Sequence, residues 1–202
     1  AKERRRVQSV LAAHHVAGDA VNPLFETIDR LSDEVKKLEK VIAQMTKEDR
    51  AVQLLITIPG AGLITAATIR AFTDDIRRYP TAGKYAAYAG LVPWVQNSNE
   101  TIHHGRITRR GPVELRTAIV QLVLGMVRNR RRTGAYRILE RYDRLKQAKG
   151  TGRSIIATAR QLSEIVYRML SDDLEFDETK MVDPVIRRKI TEMRAAALDA
   201  AS

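Results

Sequence analysis

Residues 55–72 read LITIPGAGLITAATIRAF, in which two apolar stretches are interrupted by Pro-Gly-Ala-Gly at positions 59–62. Proline and glycine favour turns, because proline lacks a backbone N–H and glycine readily adopts positive φ angles. The flanking apolar stretches, the second of which continues with threonine and small residues, are typical of packed helices. The segment therefore predicts two helices joined by a tight turn.

The same turn allows a second role. Gly60 and Gly62 permit close backbone approach, and the helix that follows, near Thr65, begins with unpaired N–H groups and the positive end of its dipole. A helix-hairpin-helix unit holds a phosphate in this way without reading bases. The alternative is a helical hairpin whose glycines only make the turn. The formal net charge of +11 favours the phosphate role.

Composition narrows the class of protein. The 202 residues are 44% hydrophobic, which is enough for a core, and the basic balance indicates a polyanionic partner. The absence of cysteine excludes a disulfide framework and a thiolate zinc site, and it fits a cytoplasmic protein. No apolar run reaches the roughly 18 residues of a membrane span, and AKERRRVQSV at 1–10 contains no apolar secretion signal. We expect no membrane partner.

Residues 1–48 are predicted to form a basic N-terminal segment followed by a coiled-coil arm. A helical pattern starts at Pro23, and its seam has alternating spacings of three and four residues. A heptad seam of this length can pair with a second copy, giving a dimer or tetramer. The alternative is an amphipathic helix that lies on its own domain. The seam consists of Ile28, Leu31, Val35, Leu38, Ile42 and Met45.

The rest of the chain predicts a mainly α fold. We expect a helical domain over 49–170, with a short Ala- and Tyr-rich helix before Gly90 and an irregular basic loop. An acidic linker and a C-terminal helix follow over 171–202. The periodicity predicts three further helices in the domain, from about Pro112 to Arg128, Tyr136 to Lys146 and Arg153 to Leu170.

Residues 94–111, WVQNSNETIHHGRITRRG, lack helical periodicity and predict a strand-free loop or an irregular hairpin. A serine there can attack a phosphodiester if its neighbours activate it, and arginines can stabilise the charge on the phosphate. The alternative is an ordinary loop serine. The candidate residues are Ser98 as nucleophile, with His104, Arg106, Arg109 and Arg110 as phosphate contacts.

The sequence also bears on two other chemistries, tyrosine-type recombination and metal binding. His103 and Arg106 also form a His-x-x-Arg pattern, which tyrosine recombinases use with a distant tyrosine. Adjacent histidines lack the spacing of a metal site, and Asp74 and Asp75 are expected to be solvated or to cap a helix. We therefore predict no metal site in this chain.

Three motifs, taken together, resemble a known family. LLITIPGAGLITAATI, DIRRYPTAGKYAAYAGLVP and SNETIHHGRITRRGPVELRTAIVQ are similar, in order and spacing, to the C-terminal domain of the IS110-type (IS116/IS902) insertion-sequence transposases, the bridge-RNA-guided recombinases. RSIIATARQLSEIVYRML resembles the closing helix of that domain. The resemblance covers about residues 52–170.

The resemblance implies a function. Members join an N-terminal RuvC-like domain, with a DEDD set of metal-binding acids, through a coiled coil to this C-terminal transposase domain. A serine acts as nucleophile in composite with the acids of a neighbouring subunit, and a guide RNA pairs with the DNA. Ser98 occupies the serine position. The resemblance also implies a prokaryotic, cytoplasmic and nucleoid-associated protein.

This sequence departs from the family pattern in two respects. The sequence contains no RuvC-like acidic segment, so Mg²⁺ is expected only with that domain. Asn99, Glu100 and Thr101 follow Ser98 where the family has Gly-Gly and a basic residue. We expect a DNA transposase or recombinase domain that binds DNA but does not complete strand exchange alone. The rival hypothesis is a non-catalytic helix-hairpin-helix nucleic-acid-binding module.

Overall fold

The computed structural model describes residues 6–7, 9–10, 13, 21–98, 101–130 and 137–177, with the backbone alone for 95–98 and 101–106. The chain divides into two compact units, Ala1–Met45 and Thr46–Ser202. The described residues are mainly helical, as predicted. The basic start of the chain, Asn99, Glu100 and the C-terminal helix predicted within 171–202 lie largely or wholly outside the described residues.

The arm is one helix, α1, over Asn22–Thr46, close to the predicted bounds. No residue of α1 is buried. Its seam residues Leu31, Val35 and Leu38 are 56%, 53% and 61% exposed. Polar residues alongside form short ion pairs such as Lys36–Asp33 at 2.9 Å. The apolar stripe of α1 is therefore largely exposed.

The predicted hairpin of helices is present. Helix α2 spans Arg50–Ile56 and α3 spans Leu63–Thr73, with Pro59–Gly62 between them. Asp49 caps α2 by accepting a hydrogen bond from the Val52 N–H at 3.2 Å, which satisfies one of the free donors at a helix start. The two helices pack against each other.

A short 3₁₀ turn, Ile76–Arg78, leads to helix α4 over Ala82–Tyr88, which ends near Gly90 as predicted. Strand β1 then covers Pro93–Ser98 and pairs antiparallel with β2, Thr101–Ile107. Of the two predicted forms, a loop or an irregular hairpin, the structure has the irregular hairpin, and the expectation that the surroundings of Ser98 contain no strand was wrong. Strands this polar lack the alternation of apolar and polar residues that reveals a half-buried strand, and backbone pairing alone defines them.

Three longer helices complete the domain: α5 over Val113–Arg128, α6 over Arg137–Lys149 and α7 over Thr151–Ser171. Each was predicted to within about three residues, and Pro112 is the N-cap of α5. Helix α7 is the centre of the domain, because α2, α4, α5 and α6 all pack against it. The fully buried core side chains include Ile69, Tyr85, Leu115, Ile119, Leu122, Met126, Ile138 and Val166.

Candidate nucleic-acid interface

Gly60 has a structural role. It has φ +86°, and a Cβ atom at this position would overlap the backbone of Gly125 in α5. A Cβ atom on Gly125 would in turn overlap the Gly60 carbonyl oxygen. The turn between α2 and α3 is therefore seated directly on α5 through two glycines. A role in the turn is therefore enough to explain why position 60 is a glycine.

Gly62 lies in a different environment. Its φ of −97° is ordinary extended backbone, and a Cβ atom there would have no neighbour within 4 Å. Gly62 is the N-cap of α3 and provides no side-chain hydrogen bond to the helix. Because the first N–H groups of a helix have no partner within it, the start of α3, including half-buried Thr65, is open to a ligand.

Two predicted motifs meet at the base of the β-hairpin. Gly111 has φ +93°, and a Cβ atom there would overlap the carbonyl oxygen of Tyr88. A Cβ atom on Gly90 would overlap the Arg110 carbonyl oxygen. The Arg109 N–H also donates to the Gly90 carbonyl oxygen at 3.3 Å. The end of α4 and the entry to α5 are thus held together where the hairpin begins and ends.

Ser98 lies at the other end of this hairpin. It is the last residue of β1 and pairs with Thr101. At the base, Pro93 pairs with Ile107, and the Thr108 N–H donates to the Val92 carbonyl oxygen at 2.9 Å. The candidate nucleophile is therefore carried at the tip of a short ribbon whose base is fixed to the helical core.

The hairpin separates Ser98 from two of its predicted partners. Five residue steps along β1 separate Ser98 from Pro93, about 16 Å at the usual rise of a strand. Arg109 and Arg110 follow the base of the ribbon and are exposed. His104 lies within β2 opposite Val95, with Arg106 two residues further toward the base. The predicted site residues thus follow the ribbon rather than converging on Ser98.

The distance from Ser98 to the base of the ribbon can be compared with the spacing of phosphates along a DNA strand. Along one strand of a duplex, phosphates follow at about 3.4 Å per step of the helix axis, so about 16 Å corresponds to roughly five steps. A DNA backbone lying along the ribbon would pass Arg109 and Arg110 several nucleotides from the position of Ser98. This favours phosphate binding over stabilisation of the reacting phosphate as the role of these two arginines.

The carboxylates near α2 and α3 are paired. Asp75 accepts a hydrogen bond from the Arg77 N–H at 2.9 Å and caps the 3₁₀ turn, as expected. The side chain of Arg77 lowers the pKa of this carboxyl below its ordinary value. Asp74 forms an ion pair with Arg78 at 3.2 Å. Both carboxylates are therefore already neutralised by arginines.

A charged depression of about 600 Å³ lies beside these residues. Its acids are also paired, since Asp49 contacts Arg70 at 3.0 Å and Asp173 contacts Arg50 at 3.0 Å. Among the described residues, no three His, Cys, Asp or Glu side chains are grouped so that they could hold a metal ion. The described part of the chain thus does not fit an Mg²⁺ site.

Three of the described tyrosines, Tyr79, Tyr85 and Tyr142, are poor candidates for nucleophiles. Tyr85 is fully buried and its hydroxyl shares a 2.8 Å hydrogen bond with Thr73. Burial raises the pKa of Tyr85 above its ordinary value, and burial is also the main cause that raises the pKa of Tyr79 to about 12. Tyr142 is 4% exposed. A buried phenol is out of reach of a phosphodiester, which disfavours the tyrosine-type alternative for these residues.

The sequence did not single out Gly90, Gly111 and Gly125. Their role appears only when the backbone that each one contacts is known. A signal was present, because Gly90 and Gly111 lie within two of the three family-like motifs, and glycine permits a close backbone approach.

The architecture is a helical domain with a β-hairpin between α4 and α5. Residues 52–137 match the family described as Transposase IS116/IS110/IS902 family. The resemblance expected from the motifs is confirmed. No helix within the described ranges is long and apolar enough to cross a membrane.

Individual relatives agree with this assignment. The chain is 31% identical over 113 residues, 52% of its length, to a probable family 20 transposase of Pseudomonas aeruginosa. It is 27% identical over 165 residues, 81% of its length, to the insertion element IS110 uncharacterized 43.6 kDa protein of Streptomyces coelicolor. It is 29% identical over 160 residues, 76% of its length, to the pilin gene-inverting protein of Moraxella bovis. The chain spans 33%, 39% and 48% of these relatives.

Proposed function

We propose that this chain is the DNA-handling, serine-bearing part of a recombinase that acts on DNA in the prokaryotic cytoplasm, together with a guide RNA. Ser98 is the nucleophile. The position of Ser98 at the tip of a ribbon with a fixed base, followed by exposed arginines, carries this proposal. A nucleophile held on such a ribbon projects from the domain toward a bound backbone.

The reaction is a transesterification at phosphorus. The Ser98 hydroxyl oxygen forms a bond to phosphorus, and the bond from phosphorus to one deoxyribose oxygen breaks. The serine proton passes to a base, and the leaving deoxyribose oxygen takes up a proton. The energy of the phosphodiester is kept in the protein–DNA link, so a second DNA hydroxyl can reverse the step at a new position.

The acids for this chemistry belong to a RuvC-like DEDD domain, in the same or a neighbouring polypeptide, and Mg²⁺ belongs there. The described residues here position the backbone. The open start of α3 at Gly62 and Thr65 contributes N–H groups to one phosphate, and Arg109 and Arg110 contribute charge to others. The 202-residue chain alone is therefore expected to bind DNA without transferring strands.

The test is to join this chain to a matching acidic domain, add guide RNA, Mg²⁺ and cognate DNA, and map the covalent adduct by peptide mass spectrometry. An adduct on Ser98 is expected. Ser98→Ala should abolish the adduct and strand transfer yet leave DNA affinity within about two-fold, because phosphate contacts supply most of the affinity. Thr101→Ala, at the paired position, is the control and should keep the adduct. An adduct on a tyrosine would show that the nucleophile is misassigned.

The second candidate is a non-catalytic helix-hairpin-helix nucleic-acid-binding module, which the open N-terminus of α3 favours. Affinity that falls as sharply as strand transfer in Ser98→Ala would support it, as would salt-sensitive DNA binding with no adduct in the complete assembly.

A separate experiment tests the proposed contact between the start of α3 and a phosphate. Gly62→Asp and Gly62→Asn both supply a helix cap, but only aspartate places a negative charge where the phosphate is proposed to lie. Gly62→Asp should weaken DNA binding by at least ten-fold, while Gly62→Asn should stay within about three-fold of the parent. Equal affinities for the two variants would exclude a phosphate at this helix start.

A further inference from the structure

Trp94 lies uncovered next to the fixed base of the hairpin. It is the only tryptophan of the chain, and its side chain is 50% exposed although it belongs to a paired strand. The neighbouring Leu91, by contrast, is 1% exposed. Tryptophan is enriched at interfaces, because its ring combines a large apolar surface with a polar N–H group.

The pairing of the two strands is irregular at the position of Trp94. Pro93 pairs with Ile107 and Val95 with His104, so two steps along β1 correspond to three along β2. The extra residue falls in the stretch of β2 that contains Gly105. A bulge of this kind increases the local twist and changes the direction in which side chains leave the ribbon. Trp94 therefore lies at the bulge, where the pairing of β1 with β2 is irregular.

The charge around Trp94 favours a nucleotide as the partner. Arg109 and Arg110 are exposed just beyond the base of the ribbon, where the Thr108 N–H is bonded to the Val92 carbonyl oxygen. An aromatic ring that accepts a base, beside cations that accept its phosphate, is the common arrangement in proteins that bind single strands. A peptide or a second copy of the chain would have no evident use for both groups.

We infer that Trp94 is a stacking platform for an unpaired base of the DNA strand held along the hairpin. Bases inside a duplex are covered on both faces, so the ring can accept only a base that has left the stack or that ends a strand. This inference rests on the proposed function, since it specifies which form of DNA the hairpin binds. A platform about four residues from Ser98 would hold melted DNA near the point of attack.

The single tryptophan makes the test direct. The 202-residue chain is titrated with a labelled thymidine oligonucleotide, a blunt duplex of equal length and the matching uridine oligonucleotide. Label anisotropy reports binding, and tryptophan emission reports stacking. We expect strong quenching of Trp94 by single-stranded DNA and little quenching by the duplex at equal saturation. Quenching by the uridine strand alone would assign the platform to RNA and overturn the DNA assignment.

Two variants separate stacking from simple apolar contact. Trp94→Phe should bind the thymidine strand within about three-fold of the parent, whereas Trp94→Leu should lose about ten-fold, since stacking on an aromatic ring contributes substantially for each base. Neither should change duplex affinity by more than about two-fold. Unchanged single-strand affinity in Trp94→Leu would contradict the inference.

The outcomes also separate this inference from the proposed function. If DNA binds and Trp94 emission stays constant at saturation, the inference fails while the proposed function stands. If neither DNA nor RNA binds at low salt, both fail together. An emission of the free protein that acrylamide cannot quench would show that protein covers the ring, and this would also overturn the platform.

Discussion

The carbonyl oxygen of Tyr88 lies so close to the Cα atom of Gly111 that a methyl group at position 111 would overlap it. Tyr88 ends α4 and Gly111 precedes α5, so this contact closes the loop from which the β-hairpin projects. Backbone, unlike the end of a long side chain, cannot move aside without shifting an element. The contact therefore fixes where the ribbon leaves the domain.

Gly111→Ala should destabilise the domain by about 2 kcal/mol, because the methyl group meets backbone and the φ of +93° disfavours alanine. It should also reduce strand transfer of the complete assembly by displacing the hairpin that carries Ser98. Gly83→Ala in α4 is the control, since its nearest neighbour is the Thr81 hydroxyl at 3.9 Å. Chemical denaturation measures the stability of both variants. Equal stability of the two variants would contradict the close contact.

The two glycines of the Pro-Gly-Ala-Gly turn should respond differently to alanine. Gly60→Ala should lower the free energy of unfolding by about 2 kcal/mol or more, because the added methyl group overlaps Gly125 and the φ is +86°. Gly62→Ala should be neutral, or stabilising by up to about 1 kcal/mol, because its extended backbone suits alanine. Thermal and urea unfolding should show this difference. Similar losses in both would mean that Gly62 is also packed.

Tyr79→Phe should make the domain more resistant to alkali. Between pH 10 and about 12 the tyrosine ionises in the unfolded chain while Tyr79 stays neutral in the folded one. The contribution of this group is therefore complete below pH 10 and is lost as pH rises toward 12, at up to about 1.4 kcal/mol per pH unit. The phenylalanine variant should lose stability less steeply across that window, as followed by urea unfolding at fixed pH values.

At neutral pH the same variant should cost less than about 1 kcal/mol, because the buried Tyr79 hydroxyl makes no well-formed hydrogen bond in the described part of the chain, although the Tyr88 hydroxyl is near enough to add to burial in raising its pKa. Tyr167→Phe provides the contrast. Its hydroxyl donates to the Tyr79 carbonyl oxygen at 2.9 Å, so its loss should cost about 1 kcal/mol. Equal costs for the two variants at pH 7 would contradict this assignment.

The arm is proposed to pair with the arm of a second copy. Leu31 and Leu38 are 56% and 61% exposed on the apolar stripe of α1, so a double change to glutamate should convert the oligomer to monomer. The melting of the unit from Thr46 onward should be unaffected. Light scattering after gel filtration measures the mass, and Lys37→Glu, at a polar position of α1, is the control. A parent chain that is monomeric at 100 μM would exclude pairing through the arm.

Much of the helical framework could be predicted from the sequence because an amphipathic helix has a periodic pattern of apolar residues. The seam from Ile28 to Met45, the stretch before Arg128 and the stretch before Leu170 all repeat apolar residues at helical spacing, and each is a helix. The sequence allowed an irregular hairpin but did not distinguish it from a loop, because the order of residues from Asn97 to Arg106 has no apolar alternation. Its pairing depends on backbone atoms that are alike in all residues.

The sequence by itself determined that a turn lies at Pro59, that helices flank it and that three motifs follow in the order of a transposase family. Only the tertiary structure decided which glycine does what. Gly60 packs against Gly125 sixty-five positions away, whereas a Cβ atom at Gly62 would meet nothing within 4 Å, although both glycines occur in the same four residues. Likewise, only the fold places Ser98 at the tip of a ribbon and Arg109 beyond its base. Local preference sets the elements, but contacts between residues distant in the chain set their separations.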